Sequence, residues 1–197
     1  MSWLFTGKVM LTYSPSIVGA LVKVLEESAT QTCKSPYAPG SFNDGQIGEL
    51  VEETPGLSAG AWQIRPLSRG YVEARSNRPG DMPAINPRYL LEEADRRAVI
   101  GGLRFARKMF AAPPLKQFVR EESLPGAQIQ SDDELLDYAR RNGSTCYHAS
   151  CTCRRPLNPV TSAPTAPTVA ALTKTMATFS LSRGQMFCRV RDDFLHS

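Results

Sequence analysis

An α+β fold, an antiparallel sheet flanked by helices, is what this sequence predicts, and three observations predict it. Short alternating runs occupy 61–65 and 71–75 on either side of a turn. Two amphipathic helical segments follow, one over 91–112 and one from Ser131 to Gly143. The strands precede the helices instead of alternating with them, which argues against a doubly wound parallel sheet.

The strand evidence comes first along the chain. Ala61 to Arg65 (AWQIR) sets Trp62 and Ile64 against Gln63 and Arg65, while Tyr71 to Arg75 (YVEAR) alternates less cleanly. Pro66, Ser68 and Gly70 make a turn between them, so the pair reads as an antiparallel hairpin. Residues 77–87 hold Pro79, Pro83 and Pro87 with Gly80, an irregular connector. Upstream, residues 17–25 are apolar without a winning period. Residues 32–48, with Pro36, Pro39, Gly40, Asn43, Asp44, Gly45 and Gly48, read as a loop.

The helices are punctuated more clearly. Val99, Leu103, Ala106 and Phe110 recur at helical spacing and give one apolar face. Glu92, Glu93 and Asp95 load the first turns and Arg104, Arg107 and Lys108 the last, which suits the helix dipole. Pro113-Pro114 stops this helix. Gly101-Gly102 sacrifices about 1 kcal/mol of helix propensity per residue relative to Ala and marks close packing. In the second helix Ser131 and Glu134 have the spacing of a capping box, Leu135, Leu136 and Ala139 supply apolar contacts, and Arg140, Arg141, Asn142 and Gly143 close it.

Composition excludes several classes. The chain has 197 residues, 42% hydrophobic and 21% charged, close to globular averages. Its longest apolar run, Ile17 to Leu25, is interrupted by Lys23 and too short for a transmembrane segment. Trp3, Leu4 and Phe5 come before the first Lys, the reverse of a secretory leader. The net charge of +4 is uneven: residues 1–154 carry 18 basic against 17 acidic residues, and 155–197 carry five against two. A nucleic-acid partner would call for a basic stripe interleaved with aromatics, and none is present. Five cysteines, an odd number on a chain of this size, read as reduced thiols in a cytoplasmic protein. Beyond Arg154, residues 156–178 are rich in Pro, Thr, Ala and Ser and read as a flexible tail.

Reactive side chains concentrate in Ser144 to Arg154 (STCYHASCTCR). Cys146, His148, Cys151 and Cys153 offer four zinc-type ligands, though structural zinc normally takes two separated ligand pairs and only the His148–Cys151 gap fits one. A small zinc-binding interaction module is therefore one reading. A second makes His148 an acid–base catalyst, since an imidazole titrates near neutrality. A third makes it a hydrogen-bonded core histidine, because spacing shows no positioned partner. No P-loop, H-E-x-x-H, EF-hand or G-x-G-x-x-G pattern is present, and no Ser/His/Asp set is suggested by position.

The run GYVEARSNRPGDMPAINPRYL, the helix after it, QSDDELLDYARRNGSTCYH and the TCR triplet together resemble the C-terminal part of the glucose–methanol–choline (GMC) oxidoreductases, in particular bacterial choline and alcohol dehydrogenases. WLFTGK and GLSAGAWQIRPLSRG are similar to its substrate-binding region. The resemblance implies FAD-dependent oxidation of a CH–OH group on a small-molecule alcohol. His148 matches the histidine of the family's Y-H-x-x-G-T-C-R-M-G segment, and its implied role is to take the hydroxyl proton while hydride passes to the flavin.

The departures shape what is expected. Cys151 stands where the family has Gly, and Arg155 replaces the Met after TCR. Ala166, Pro167 and Thr168 match the family's A-P-T motif, which puts Ala166 and Pro167 on the cofactor side and Thr165 where a second catalytic His or Asn would stand. The expectation is a partial GMC substrate-binding domain over 1–154 and a low-complexity or damaged tail over 155–197. The FAD-binding Rossmann-like half is expected to be missing, or separately encoded as a partner, leaving the chain alone inactive.

Overall fold

A computed structural model describes residues 18–40, 56–145, 150, 168–169 and 173–181, with the last two stretches described as backbone. The main sheet is antiparallel. Its strands β1 (Val18–Val22), β2 (Cys33–Pro39), β3 (Gly56–Gln63), β9 (Thr173–Leu181) and β6 (Val119–Leu124) lie side by side in that order. The two-residue strand β7 (Ser144–Thr145) also pairs with β9, setting Ser144 opposite Lys174 and Thr145 opposite Thr173. A smaller sheet holds β5 (Ala84–Asn86), β4 (Gly70–Glu73) and β8 (Thr168–Val169). The α+β architecture, an antiparallel sheet flanked by helices, is thus what the chain adopts.

Helix α1 (Glu93–Phe110) packs on β2 and β3. All four residues of its expected apolar face are buried: Val99, Leu103, Ala106 and Phe110. Leu103 and Phe110 share a core with Cys33, Ala59 and Ala61 of the sheet and with Leu135 and Tyr138 of helix α3 (Asp132–Asn142). Burial of this kind is worth about 1.5–3 kcal/mol for each large apolar side chain. The prolines after α1 do not simply stop the chain; Pro113 and Pro114 open a one-turn helix, α2 (Pro113–Lys116), where a missing N–H is harmless.

The expected capping box of α3 is formed in full. Ser131 Oγ accepts from Glu134 N, and the Glu134 carboxylate accepts from Ser131 N and Gln130 N. Those backbone donors hold the Glu134 carboxyl below the usual carboxylate range. Its support for α3 is therefore present above the ordinary glutamate pKa and fades as pH falls through the lowered value. At the other edge of the sheet, Arg107 of α1 grips Glu122 of β6 at 3.0 Å and also donates to Gly126 O at 3.2 Å.

Three sequence expectations are corrected. The runs around 61–65 and 71–75 do not form a hairpin together: β3 pairs with β2 and β9, whereas β4 pairs with β5 and β8. The turn amides of Leu67 and Ser68 are taken by a side chain, Asp95, so the chain leaves one sheet and enters another. Residues 33–39, read as loop, form β2, and the sheet accommodates Pro36 because Gly60 lies beside it; a Cβ on Gly60 would meet Pro36 Cγ at 2.9 Å. Finally, residues 173–181 of the expected tail form β9, which lies between β3 and β6. Its sequence, TKTMATFSL, has few large apolar residues, but threonine suits a pleated strand.

Gly102 explains the glycine pair inside α1. A Cβ there would come within 2.7 Å of Cys33 Sγ and 2.8 Å of Ala61 Cβ, so only glycine lets the helix lie this close to the sheet. The expected outcome for Gly102→Ala is a net loss of stability, because overpacking costs about 1–3 kcal/mol and outweighs the gain in helix propensity of about 1 kcal/mol. Gly80→Ala, where nothing lies within 4 Å, should leave the melting temperature unchanged. Thermal denaturation of the two variants side by side checks both.

Candidate functional site

The most constrained polar group described is the carboxylate of Asp95, on the first turn of α1 and only 1% exposed. Its Oδ1 accepts from Gln63 Nε2, at the end of β3, and from Leu67 N at 2.8 Å; its Oδ2 accepts from Ser68 N at 2.7 Å. Ser68 Oγ in turn accepts from Glu92 N at 3.1 Å, the N-cap amide of α1. In a local capping box the third helical side chain would take that amide. Here a serine 24 residues upstream takes it, which leaves Asp95 free to bind the turn. Buried and surrounded by neutral donors at a helix N-terminus, the carboxylate is held by charge-assisted bonds and the helix dipole together.

This clasp fixes a strained stretch of backbone. Arg88 and Leu90 both sit in the left-handed region, with φ of 50° and 56°. For a residue with a Cβ that conformation costs roughly 1–2 kcal/mol. Several contacts hold it in place. Leu90 is buried against Val99 and Ala139, Arg96 donates to Leu90 O at 3.1 Å and to Leu91 O at 2.5 Å, and Arg88 lies over the Tyr71 ring at 5.5 Å. Gly70 makes room on the other side; a Cβ on it would collide with Asn86 O and Pro87.

A cavity of about 170 Å³ opens beside this stretch. Tyr89 and Leu90 form one wall; Ala139, Arg140, Gly143 and Ser144, from the end of α3 and the start of β7, form the other. His148 is four residues beyond Ser144, at most about 14 Å of extended chain. His148 itself lies outside the described residues, as do Cys146, Cys151, Cys153, Thr165, Ala166 and Pro167. The structure therefore places the frame that leads into the expected catalytic segment and leaves the segment's own geometry aside.

Among the described residues no group of three or more His, Cys, Asp or Glu could hold a metal ion. The adjacent glycines Gly101 and Gly102 lie inside α1 against Val24 and Cys33, not in a turn at a helix N-terminus, so this pair makes no cradle for the pyrophosphate of FAD. The one cysteine described, Cys33, is a free thiol, fully buried, and burial pushes its pKa up to about 12. It is packing material, not a nucleophile. Burial likewise raises the Tyr37 hydroxyl on the same strand. No helix among the described residues is long and apolar enough to cross a membrane.

Reading the sequence placed Asp95 only as a first-turn charge and Ser68 only as a turn residue, and missed the network they form and the left-handed Arg88 and Leu90. A signal for Asp95 was present: it stands four residues before Val99 and eight before Leu103, so a carboxylate sits on the apolar stripe of α1. That position calls for a buried partner. The long-range bonds through Ser68 leave no such mark.

Comparison with known proteins gives consistent matches. The family model described as GMC oxidoreductase matches residues 66–156. An alcohol dehydrogenase [acceptor] of Pseudomonas putida is 30% identical over 158 residues, 80% of this chain and 28% of that protein. Oxygen-dependent choline dehydrogenases of Pectobacterium carotovorum and Serratia proteamaculans are each 28% identical over 152 residues, 77% of this chain and 27% of theirs. The chain thus spans a little over a quarter of the length of these curated relatives.

The clasp makes a graded prediction. Asp95→Ala leaves the amides of Leu67 and Ser68 and the Gln63 side chain without their acceptor and should destabilise the fold by about 1–3 kcal/mol for each donor left buried and unpaired. Ser68→Ala removes one neutral bond and should cost about 0.5–1.5 kcal/mol. Urea denaturation that ranks the two in the opposite order would contradict the assignment of Asp95 as the centre of the network.

Proposed function

The chain belongs to the GMC oxidoreductases through residues 66–156, and from that membership we propose that it provides the substrate-binding part of an FAD-dependent enzyme that oxidises the CH–OH group of a small alcohol. The observation that carries the reading is the agreement of the family match with relatives named as alcohol and choline dehydrogenases over about four-fifths of the chain. Both names denote substrates with an oxidisable hydroxyl.

Within that reading His148 is the acid–base residue. It accepts the hydroxyl proton, and the alcohol becomes a far better hydride donor as it loses that proton. The flavin, when bound, supplies the electron sink. Thr165 stands where the family has a second catalytic His or Asn and cannot accept a proton at neutral pH, so in this reading His148 is the proton acceptor. Ala166 and Pro167, matched to the family's A-P-T motif, would be the residues of this chain on the cofactor side. In this reading the FAD pyrophosphate would be held by an FAD-binding half, supplied as a partner where it is separately encoded. Cytoplasmic placement accords with the free thiol of Cys33.

Two measurements test this. Purified alone, the chain should leave gel filtration without flavin and without alcohol-dependent dye reduction; a co-eluting flavin spectrum would overturn the division of labour. Co-expressed with the FAD-binding half of a family member, it should restore alcohol oxidation. His148→Ala should then lower kcat by about 10²–10⁴-fold with bound flavin unchanged. An unaltered kcat would remove His148 from the chemistry.

A further inference from the structure

The end of α3 carries a reactive pair that the oxidoreductase reading does not use. Asn142 is the last residue of the helix and Gly143 is its C-cap. An Asn followed by Gly is prone to attack by the next backbone nitrogen on the side-chain amide carbon, because glycine puts no side chain in the way. Here both partners are occupied. Gly143 N donates to Ala139 O at 2.8 Å, and Asn142 Nδ2 donates to Tyr138 O at 3.1 Å. One turn of helix supplies both acceptors.

We propose that Asn142–Gly143 is a self-modification site, kept unreacted by the last turn of α3 and released when that turn opens. In the reaction Gly143 N bonds to Asn142 Cγ, the Cγ–Nδ2 bond breaks, and ammonia leaves with the proton that Gly143 N gives up. The product is a five-membered succinimide. Water then opens the ring at one of its two carbonyl carbons. Attack at Cγ yields aspartate; attack at the main-chain carbonyl carbon of residue 142 yields isoaspartate. No electrons change hands and no cofactor takes part.

Either product places a carboxylate at the C-terminal end of α3, where the helix dipole favours the cations Arg140 and Arg141. Isoaspartate also adds a main-chain carbon immediately before β7, whose Ser144 and Thr145 pair with β9. The modification therefore loosens one wall of the cavity and the strand that leads towards His148. The inference does not depend on the enzyme reading, since it concerns only the chemistry at residues 142 and 143.

The test is to incubate the full chain at mildly alkaline pH, folded and in urea, and to quantify aspartate and isoaspartate at position 142 by peptide mass spectrometry. In urea the amide should convert. In the folded chain conversion should be at least about tenfold slower, the factor that a local opening of about 1.4 kcal/mol imposes. Gly143→Ala should slow the reaction in urea as well. Gly143 has φ −74° and ψ 149°, a backbone conformation open to any residue, so glycine is not required there. Equal rates with and without urea would overturn the proposal. So would an unreacted position 142 in urea, or a Gly143→Ala chain that reacts as fast as the parent.

Discussion

The buried carboxylate of Asp95 is the constraint on which the arrangement of this chain depends. Three separate pieces of the fold meet on it: the end of β3 through Gln63, the turn into β4 through the amides of Leu67 and Ser68, and the first turn of α1. A buried charge is costly unless its lone pairs are filled, so these pieces must hold their positions together. Ser68 returns the interaction by taking the Glu92 amide, and so the helix start and the turn fix each other. The two sheets are consequently joined by a polar network at the point where the backbone stops pairing with one and begins pairing with the other.

How much of this was legible in the sequence follows from how local each cause is. Helices α1 and α3 were read correctly because their signals sit within a few residues: a repeating apolar face, a capping box, charges sorted by helix end. The pairing of 61–65 with 71–75 failed because proximity in sequence suggested a hairpin, whereas Asp95, some 27 residues on, captured the turn. Strand β2 was hidden by Pro36, whose tolerance depends on Gly60 in the neighbouring strand. Strand β9 was hidden by composition. Its threonines suit a strand but its few large apolar residues mark no core face, and the neighbouring strands β3 and β6 give it its place.

The candidate site divides along a similar line. The chemistry expected of His148 rests on a motif, and His148 lies outside the described residues. The frame of the neighbouring cavity carries no such local signal, because it is built by residues distant in sequence. Leu90 adopts a left-handed backbone under contacts from Val99 and Ala139 and bonds from Arg96, and nothing in the string Arg88-Tyr89-Leu90 announces it. Asp95 shows the intermediate case: its place on an apolar helical stripe signals a buried partner without saying which one.

The two walls of the cavity are stabilised by different physics, and that difference bears on how the site can fail. The Tyr89–Leu90 wall is strained backbone held by buried, charge-assisted bonds, so loosening it requires breaking a network inside the protein. The Ala139–Ser144 wall is the frayable end of an eleven-residue helix, followed by a strand with only two paired residues. Helix ends and short strands open at low free energy, far below global unfolding. The geometry of the site therefore rests less on the well-packed helix that dominates the core than on the strand pairing at 144–145 and 173–174.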